Sequence, residues 1–145
     1  YFIAGDGPDK MTLLDYSMKS NNITFLGHVS DEERDAWLAA SDIFIMPAYR
    51  EGPDFEGFGI VYLEANIAGK PVIGGRSGGV PEAIDDGVSG LLVDSKDSND
   101  IIRAIERLAG DVSLRQKLGK QGHDRALEWF NWERQVGRFY KIVNS

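Results

Sequence analysis

The sequence predicts an α/β fold in three layers, with a parallel sheet of about five or six strands between helices and further helices at the C-terminal end. Three observations predict it. Five short apolar runs recur along the first two thirds of the chain, separated by stretches that carry helix caps or helical periodicity. Glycines cluster just after several of those runs, as Gly5 and Gly7, Gly57 and Gly59, Gly74 and Gly75, and Gly78 and Gly79. After Val93 the apolar runs stop and only helical patterns follow.

The elements follow in order. Tyr1 to Ala4 reads as a strand running into the Gly5-Asp6-Gly7 turn, and Ile23 to Leu26 as a second strand. Ser30 to Ala40 reads as a helix, because Ser30 and Glu33 have capping-box spacing and Asp31 and Glu32 sit in the positive-ended first turn. Asp42 to Met46 is a strand closed by Pro47. Gly57 to Ala68 is a helix stopped at Gly69, with Pro71 two residues later opening the strand Pro71 to Gly74. Val80 to Ile84 is a short helix with Pro81 in its first turn, and Gly90 to Val93 is the fifth strand. Ile101, Ile102, Ile105, Leu108 and Ala109 fall on one helix face. Val112 to Trp129 and Trp132 to Val143 are two more helices, with a stripe of Leu114, Leu118, Phe130, Phe139 and Tyr140.

Composition bounds the function. Of 145 residues, 16 are Lys or Arg and 23 are Asp or Glu, giving a net charge of −7, which argues against a general nucleic-acid binder. It leaves room for a local anion pocket, because backbone N–H groups carry no formal charge. Zero Cys excludes disulfides, thiolate metal sites and a cysteine nucleophile. His28 and His123 are isolated, so no metal site is expected. The length suits one domain over residues 1–145, and a first residue that is Tyr, already inside a strand, is expected of a piece of a longer protein.

In parallel α/β sheets ligands bind where strands lead into helices. The stretch from Pro47 to Glu64 has that form: a strand end, a loop, then a helix starting near Phe58, Gly59 and Ile60. A helix start offers free N–H groups and about half a positive charge, and the small Gly57 and Gly59 leave it open, which makes a seat for a diphosphate. Gly5 allows a similarly close backbone approach. Glu56 and Glu64 flank the seat about 12 Å apart if helical, wider than the ~6.5–9.5 Å of an inverting hydrolase pair. That spacing suits two carboxylates gripping opposite ends of a nucleotide sugar, each accepting from vicinal hydroxyls. The plainer alternatives are a dipole-stabilising acid at Glu56 and a surface ion pair at Glu64. Two other patterns compete. Gly75-Arg76-Ser77-Gly78-Gly79 has the spacing of a hydrolase nucleophile elbow, with Asp94 and His123 following in order. Gly5-Asp6-Gly7 begins like a dinucleotide fingerprint but lacks the third glycine.

Glu56-Gly57-Phe58-Gly59-Ile60-Val61-Tyr62-Leu63-Glu64-Ala65 resembles the Glu-x7-Glu motif of retaining glycosyltransferases with the GT-B fold, the large group 1 or GT4 family. Six further phrases fall in that family's order: Ile3 to Pro8, Ile23 to Val29, Ala40 to Pro47, Gly69 to Ile73, Gly78 to Glu82 and Gly87 to Val93. The resemblance implies a Rossmann-like, donor-binding C-terminal domain whose N-terminal partner domain carries the acceptor site. It implies that Glu56 contacts the transferred sugar, that Gly57, Phe58, Gly59 and Ile60 hold the diphosphate, that Glu64 holds the ribose, and that Val29 lines the base pocket. The donor would be a UDP-, GDP- or ADP-sugar, used without a metal or other cofactor. The acceptor would be a glycan or lipid, as in polysaccharide synthesis, and the setting cytoplasmic, with any peripheral membrane contact made through the other domain. An Arg and a Lys that the family places on the pyrophosphate would precede Tyr1, so the chain alone is expected to be inactive. A GT-B epimerase or phosphorylase, and a non-enzymatic nucleotide-binding module, are the neighbouring readings. Asn66 stands where the family commonly has Met, and Ala48 where it has Ser.

Overall fold

The computed structural model describes residues 1–49 and 57–144. The chain divides into two compact units, Tyr1–Trp37 and Leu38–Ser145.

The first unit is a parallel βαβ turn. β1 (Phe2–Ala4) pairs with β2 (Thr24–Gly27), and α1 (Lys10–Met18) lies between them in the chain. The Gly5 N–H donates to the Gly27 carbonyl at 2.7 Å and prolongs the ladder. α1 was not expected from the sequence, for a physical reason: Met11, Leu13, Leu14, Tyr16 and Met18 are spread around the helix and give no apolar stripe, and none of its residues is buried. α2 (Asp31–Ala40) starts at the expected capping box. The Ser30 N–H donates to Glu33 Oε2 at 2.8 Å, and the Glu33 N–H to Ser30 Oγ at 3.2 Å. Hydrogen bonding to the carboxyl from the Ser30 backbone N–H, and after it from the Ser30 side chain, holds the Glu33 carboxyl below its ordinary pKa. Trp37 packs against Phe2 with ring centroids 4.6 Å apart.

The second unit is built on β3 (Phe44–Met46), β4 (Val72–Gly75) and β5 (Gly90–Val93), parallel and in that order. α3 (Ile60–Ile67) and α4 (Val80–Ala83) connect them, and α5 (Ser98–Gly110), α6 (Val112–Trp129) and α7 (Trp132–Val143) follow. β4 and β5 are buried throughout, as a sheet covered on both faces requires. Their side chains alternate between two cores. Val72 and Leu92 pack with Leu38, Tyr62, Ala65, Val80, Ala83 and Ile84. Ile73, Leu91 and Val93 pack with Ala104, Leu108 and Leu118. The unit thus has three layers, with α3 and α4 on one face and α5 and α6 on the other.

All five expected strands form and all are parallel, but the ladders are two-stranded (β1-β2) and three-stranded (β3-β4-β5). α5 forms where its periodicity placed a helix, and α6 and α7 begin and end at the residues their pattern predicted. The N-caps of these three helices are Asp97, Asp111 and Asn131, each of whose side chains accepts from a backbone N–H of the first turn.

Candidate active site

The glycine-opened helix start is present. α3 begins at Ile60, three residues later than the pattern from Gly57 suggested, because Gly59 adopts φ 76° and ψ 63° and so cannot be a helical residue. That left-handed conformation is nearly free only to glycine. Gly59 is buried and caps α3 without a side chain, so the helix start carries no side-chain acceptor of its own from that position. Its carbonyl accepts from the Tyr62 N–H at 3.0 Å. The N–H groups of Ile60 and Val61 head the helix, where no intrahelical acceptor exists. Ile60 is 68% exposed, so this end of α3 is open.

Glu64 lies one turn further on. Ile60, Glu64 and Ile67 form the outward stripe of α3, whereas Tyr62, Leu63, Ala65 and Asn66 are buried. Glu64 is half-buried on that stripe, about 6 Å along the axis from Ile60. Glu56 lies outside the described residues. Val29, half-buried, and Gly5, exposed and in an open position at φ 134°, belong to the first unit.

The backbone of Gly57 and Phe58 is held from behind by α4, α6 and the residue after it. Gly79, which caps α4, lies so close to Gly57 that an added Cβ would collide with the Gly57 carbonyl. Phe58 packs against Phe130, with centroids 5.6 Å apart. Phe130 in turn carries the Arg125 guanidinium 4.9 Å from its ring centre. Arg125 donates from Nη1 to the Ala83 carbonyl at 2.7 Å and from Nη2 to the Glu82 carbonyl at 2.9 Å. Burial draws its guanidinium below the usual arginine range, and the charge of Asp85 works in the opposite direction. A cavity of about 460 Å³ opens among Phe58, Glu82, Arg125, Phe130 and Arg138.

Two polar links fix α3 to its surroundings. Asn66, fully buried, donates from Nδ2 to the carbonyls of Lys70 at 2.9 Å and Ser89 at 3.1 Å. His123 Nδ1 meets the Ile67 carbonyl at 2.7 Å. A carbonyl can only accept, so Nδ1 carries the proton.

The hydrolase pattern does not assemble. His123 is engaged with α3, and Asp94 turns onto its own loop, where Oδ1 accepts from the Lys96 N–H at 2.9 Å. In the fingerprint-like turn, Asp6 pairs with Lys10 at 2.7 Å. The close packing of Gly79 on Gly57 and the Arg125–Phe130 support escaped the sequence reading. The Gly78-Gly79 pair was a visible signal for the first, but nothing in the spacing joins positions 58, 82, 125 and 130.

A parallel α/β unit whose helix start is opened by glycine after β3, with C-terminal helices closing the chain, is the C-terminal domain class of GT-B glycosyltransferases. The comparisons agree. Residues 1–125 match the family described as glycosyl transferases group 1, and the chain belongs to that family. It is 35% identical over 148 aligned residues to the GDP-mannose-dependent alpha-(1-6)-phosphatidylinositol monomannoside mannosyltransferase of Mycolicibacterium smegmatis, covering 99% of this chain and 39% of that protein. It superposes on the C-terminal domain of a group 1 family glycosyl transferase from Francisella tularensis with TM-score 0.73 and 29% identity, covering 85% of this chain and 63% of that one. An Anabaena protein, HepE, solved with UDP and glucose, shares the fold at TM-score 0.81 and 22% identity, covering 99% of this chain and 40% of that one. The chain therefore spans between about a quarter and two fifths of the length of the curated relatives it matches. Among the described residues no helix is long and apolar enough to cross a membrane.

Proposed function

We propose that this chain is the donor-binding half of a retaining glycosyltransferase that moves a sugar from a nucleoside diphosphate to an acceptor hydroxyl. The observation that carries the reading is the start of α3: a left-handed Gly59, an exposed Ile60 and a carboxylate, Glu64, one turn in on the same stripe. The leaving diphosphate would lie over the N–H groups of Gly57 to Ile60, in line with the helix dipole. Glu64 would accept from the ribose hydroxyls and Glu56 from the sugar being transferred. Val29 would line the base pocket, and the backbone at Gly5 would pass close to the donor. An oxocarbenium-like transition state builds negative charge on the diphosphate, so fixed donors at that point lower the barrier more than a strong base would. The residues needed are N–H donors and carboxylates, and the reading calls on no metal. A GDP-sugar is the first donor to test, because the mycolicibacterial relative is named for GDP-mannose; UDP- and ADP-sugars follow. The acceptor would be a glycan or lipid held by an N-terminal domain at the cytoplasmic side, where any contact with a membrane would also be made. One wall of the cleft lies outside this chain, so the chain alone would bind donor without transferring sugar.

The test is titration with GDP and UDP, followed by the backbone amide signals of Gly59 and Ile60. The tighter nucleotide should move both signals, and Glu64→Ala should weaken it about tenfold or more, the loss of a charge-assisted hydrogen bond. An affinity unchanged by Glu64→Ala removes the ribose role, and amides of α3 that ignore both nucleotides remove the seat.

A further inference from the structure

The diphosphate seat is short backbone, and short backbone needs outside support to hold a ligand to within the fraction of an ångström that binding requires. α4 is one such support, since Gly79 lies against the Gly57 carbonyl. Yet α4 has four residues, too few to hold its own geometry, and its last carbonyls have no intrahelical donor. Arg125 of α6 supplies those donors. The two arms of its fork end on the Glu82 and Ala83 carbonyls, a bidentate fit that a single ammonium cannot reproduce. The same guanidinium covers Phe130, whose ring also packs against Phe58, the residue next to Gly59. Gly57 and Phe58 therefore both rest on groups that one arginine organises.

We infer that Arg125 and Phe130 are positioning residues for the diphosphate, setting how tightly the helix start of α3 grips the β-phosphate without touching it. This role rests on the diphosphate-seat reading above. It accounts for a charged group spent behind the seat: both Nη atoms donate to backbone carbonyls, so the guanidinium acts through α4 and Phe58.

The test compares GDP with GMP, and UDP with UMP, on the 145-residue chain by calorimetric titration; the tighter diphosphate is carried forward. The diphosphate reaches the seat with its β-phosphate and the monophosphate does not, so the ratio of the two affinities reads the seat alone. Arg125→Lys, which keeps the cation over Phe130 but loses the fork, and Phe130→Leu, which loses the stack on Phe58, should each weaken the diphosphate about tenfold and leave the monophosphate within about twofold. Phe130→Tyr, which keeps the ring, should retain the parent ratio. Thermal unfolding of each variant identifies those that stay folded, and Phe130→Leu, at the edge of the unit, serves where Arg125→Lys does not. Folded variants with the parent ratio, or an equal loss for both nucleotides, overturn the positioning role while leaving the seat in place. A parent chain that binds mono- and diphosphate equally overturns the seat itself, and this role with it.

Discussion

Replacing Asn66 by Asp tests how α3, and the seat at its start, is anchored. The substitution changes shape very little but exchanges two N–H donors for an acceptor. Those donors meet the Lys70 carbonyl at 2.9 Å and the Ser89 carbonyl at 3.1 Å, ahead of β4 and β5 respectively, and the side chain is fully buried. Nδ2 faces two carbonyls, which fixes the orientation of the amide. Its Oδ1 is buried with no hydrogen-bond partner among the described residues, so one oxygen of the acid inherits a site that was already unsatisfied. The other oxygen would face two carbonyls. Ionised, it is repelled by both; protonated, it donates to one and leaves the other orphaned, at a cost of about 1–3 kcal/mol.

Staying protonated has its own cost. Burial and two facing carbonyls raise the folded-state pKa above the unfolded value of about 3.9, and each unit is worth about 1.4 kcal/mol at a pH above both values. A rise of about three units, ordinary for full burial, adds about 4 kcal/mol, for a total near 5–7 kcal/mol at about pH 8. The sign follows from proton counting. Between the two pKa values the folded variant binds more protons than the unfolded one, so its stability falls as pH rises through the folded value and is highest at acid pH. At about pH 5.5 the protonation cost shrinks to about 2 kcal/mol. At about 2–4 °C per kcal/mol, the variant should unfold roughly 15 °C below the parent at about pH 8 and several degrees closer to it at about pH 5.5. Thermal unfolding of both proteins at the two pH values decides it. A variant within a few degrees of the parent at both, or a gap that ignores pH, refutes the two-carbonyl anchor.

Gly79→Ala should lower stability by about 1–3 kcal/mol and weaken the diphosphate, because the added methyl meets the Gly57 backbone and cannot be relieved by a rotamer change. Its φ of −86° suits alanine, so only space objects, and Gly110→Ala, whose Cβ meets nothing, is the matched control in the same unfolding and titration series. Ser30→Ala should raise the Glu33 pKa part of the way to its ordinary value, since the backbone N–H of residue 30, the larger cause of the depression, is retained. Carboxyl NMR across an acid titration reads it directly. In the parent the link stabilises above the ordinary carboxylate pKa and is lost as pH falls through the depressed one.

What was legible in the sequence follows from what leaves a periodic trace. α5 could be read because Ile101 and Leu108 of the expected face do pack on a core, although Ala104 completes that face and Ile102, Ile105 and Ala109 are exposed. β4 and β5 could be read because strands buried on both sides are continuous apolar runs. α1 could not, because its apolar residues point all round and bury nothing. The start of α3 was placed early because Gly57 and Gly59 read as openers of a helix, whereas the positive φ of Gly59 makes it the last residue before one. In the candidate site, the glycine-opened start of α3 and Glu64 were visible as a local motif. Its support was not: Arg125 lies more than forty residues from the carbonyls it holds, and no spacing rule connects them.

A chain with seven more acids than bases can still offer a place to a diphosphate, and the proposed seat would reconcile the two. Charges spread over a surface are screened within about 8 Å at physiological salt, so most of that excess is felt weakly at any one point. The N–H groups at the start of α3 would act at contact distance, where screening has no room to operate. They also need no counter-charge when empty, which a cluster of surface lysines beside the acids would. The Arg125 guanidinium spends both Nη atoms on Glu82 and Ala83 carbonyls and its face on Phe130, so it would reinforce the geometry of the seat instead of its charge. On this view the composition and the site answer different questions. Net charge governs which polyanions the whole surface repels, and a few fixed dipoles govern which small anion one helix end accepts.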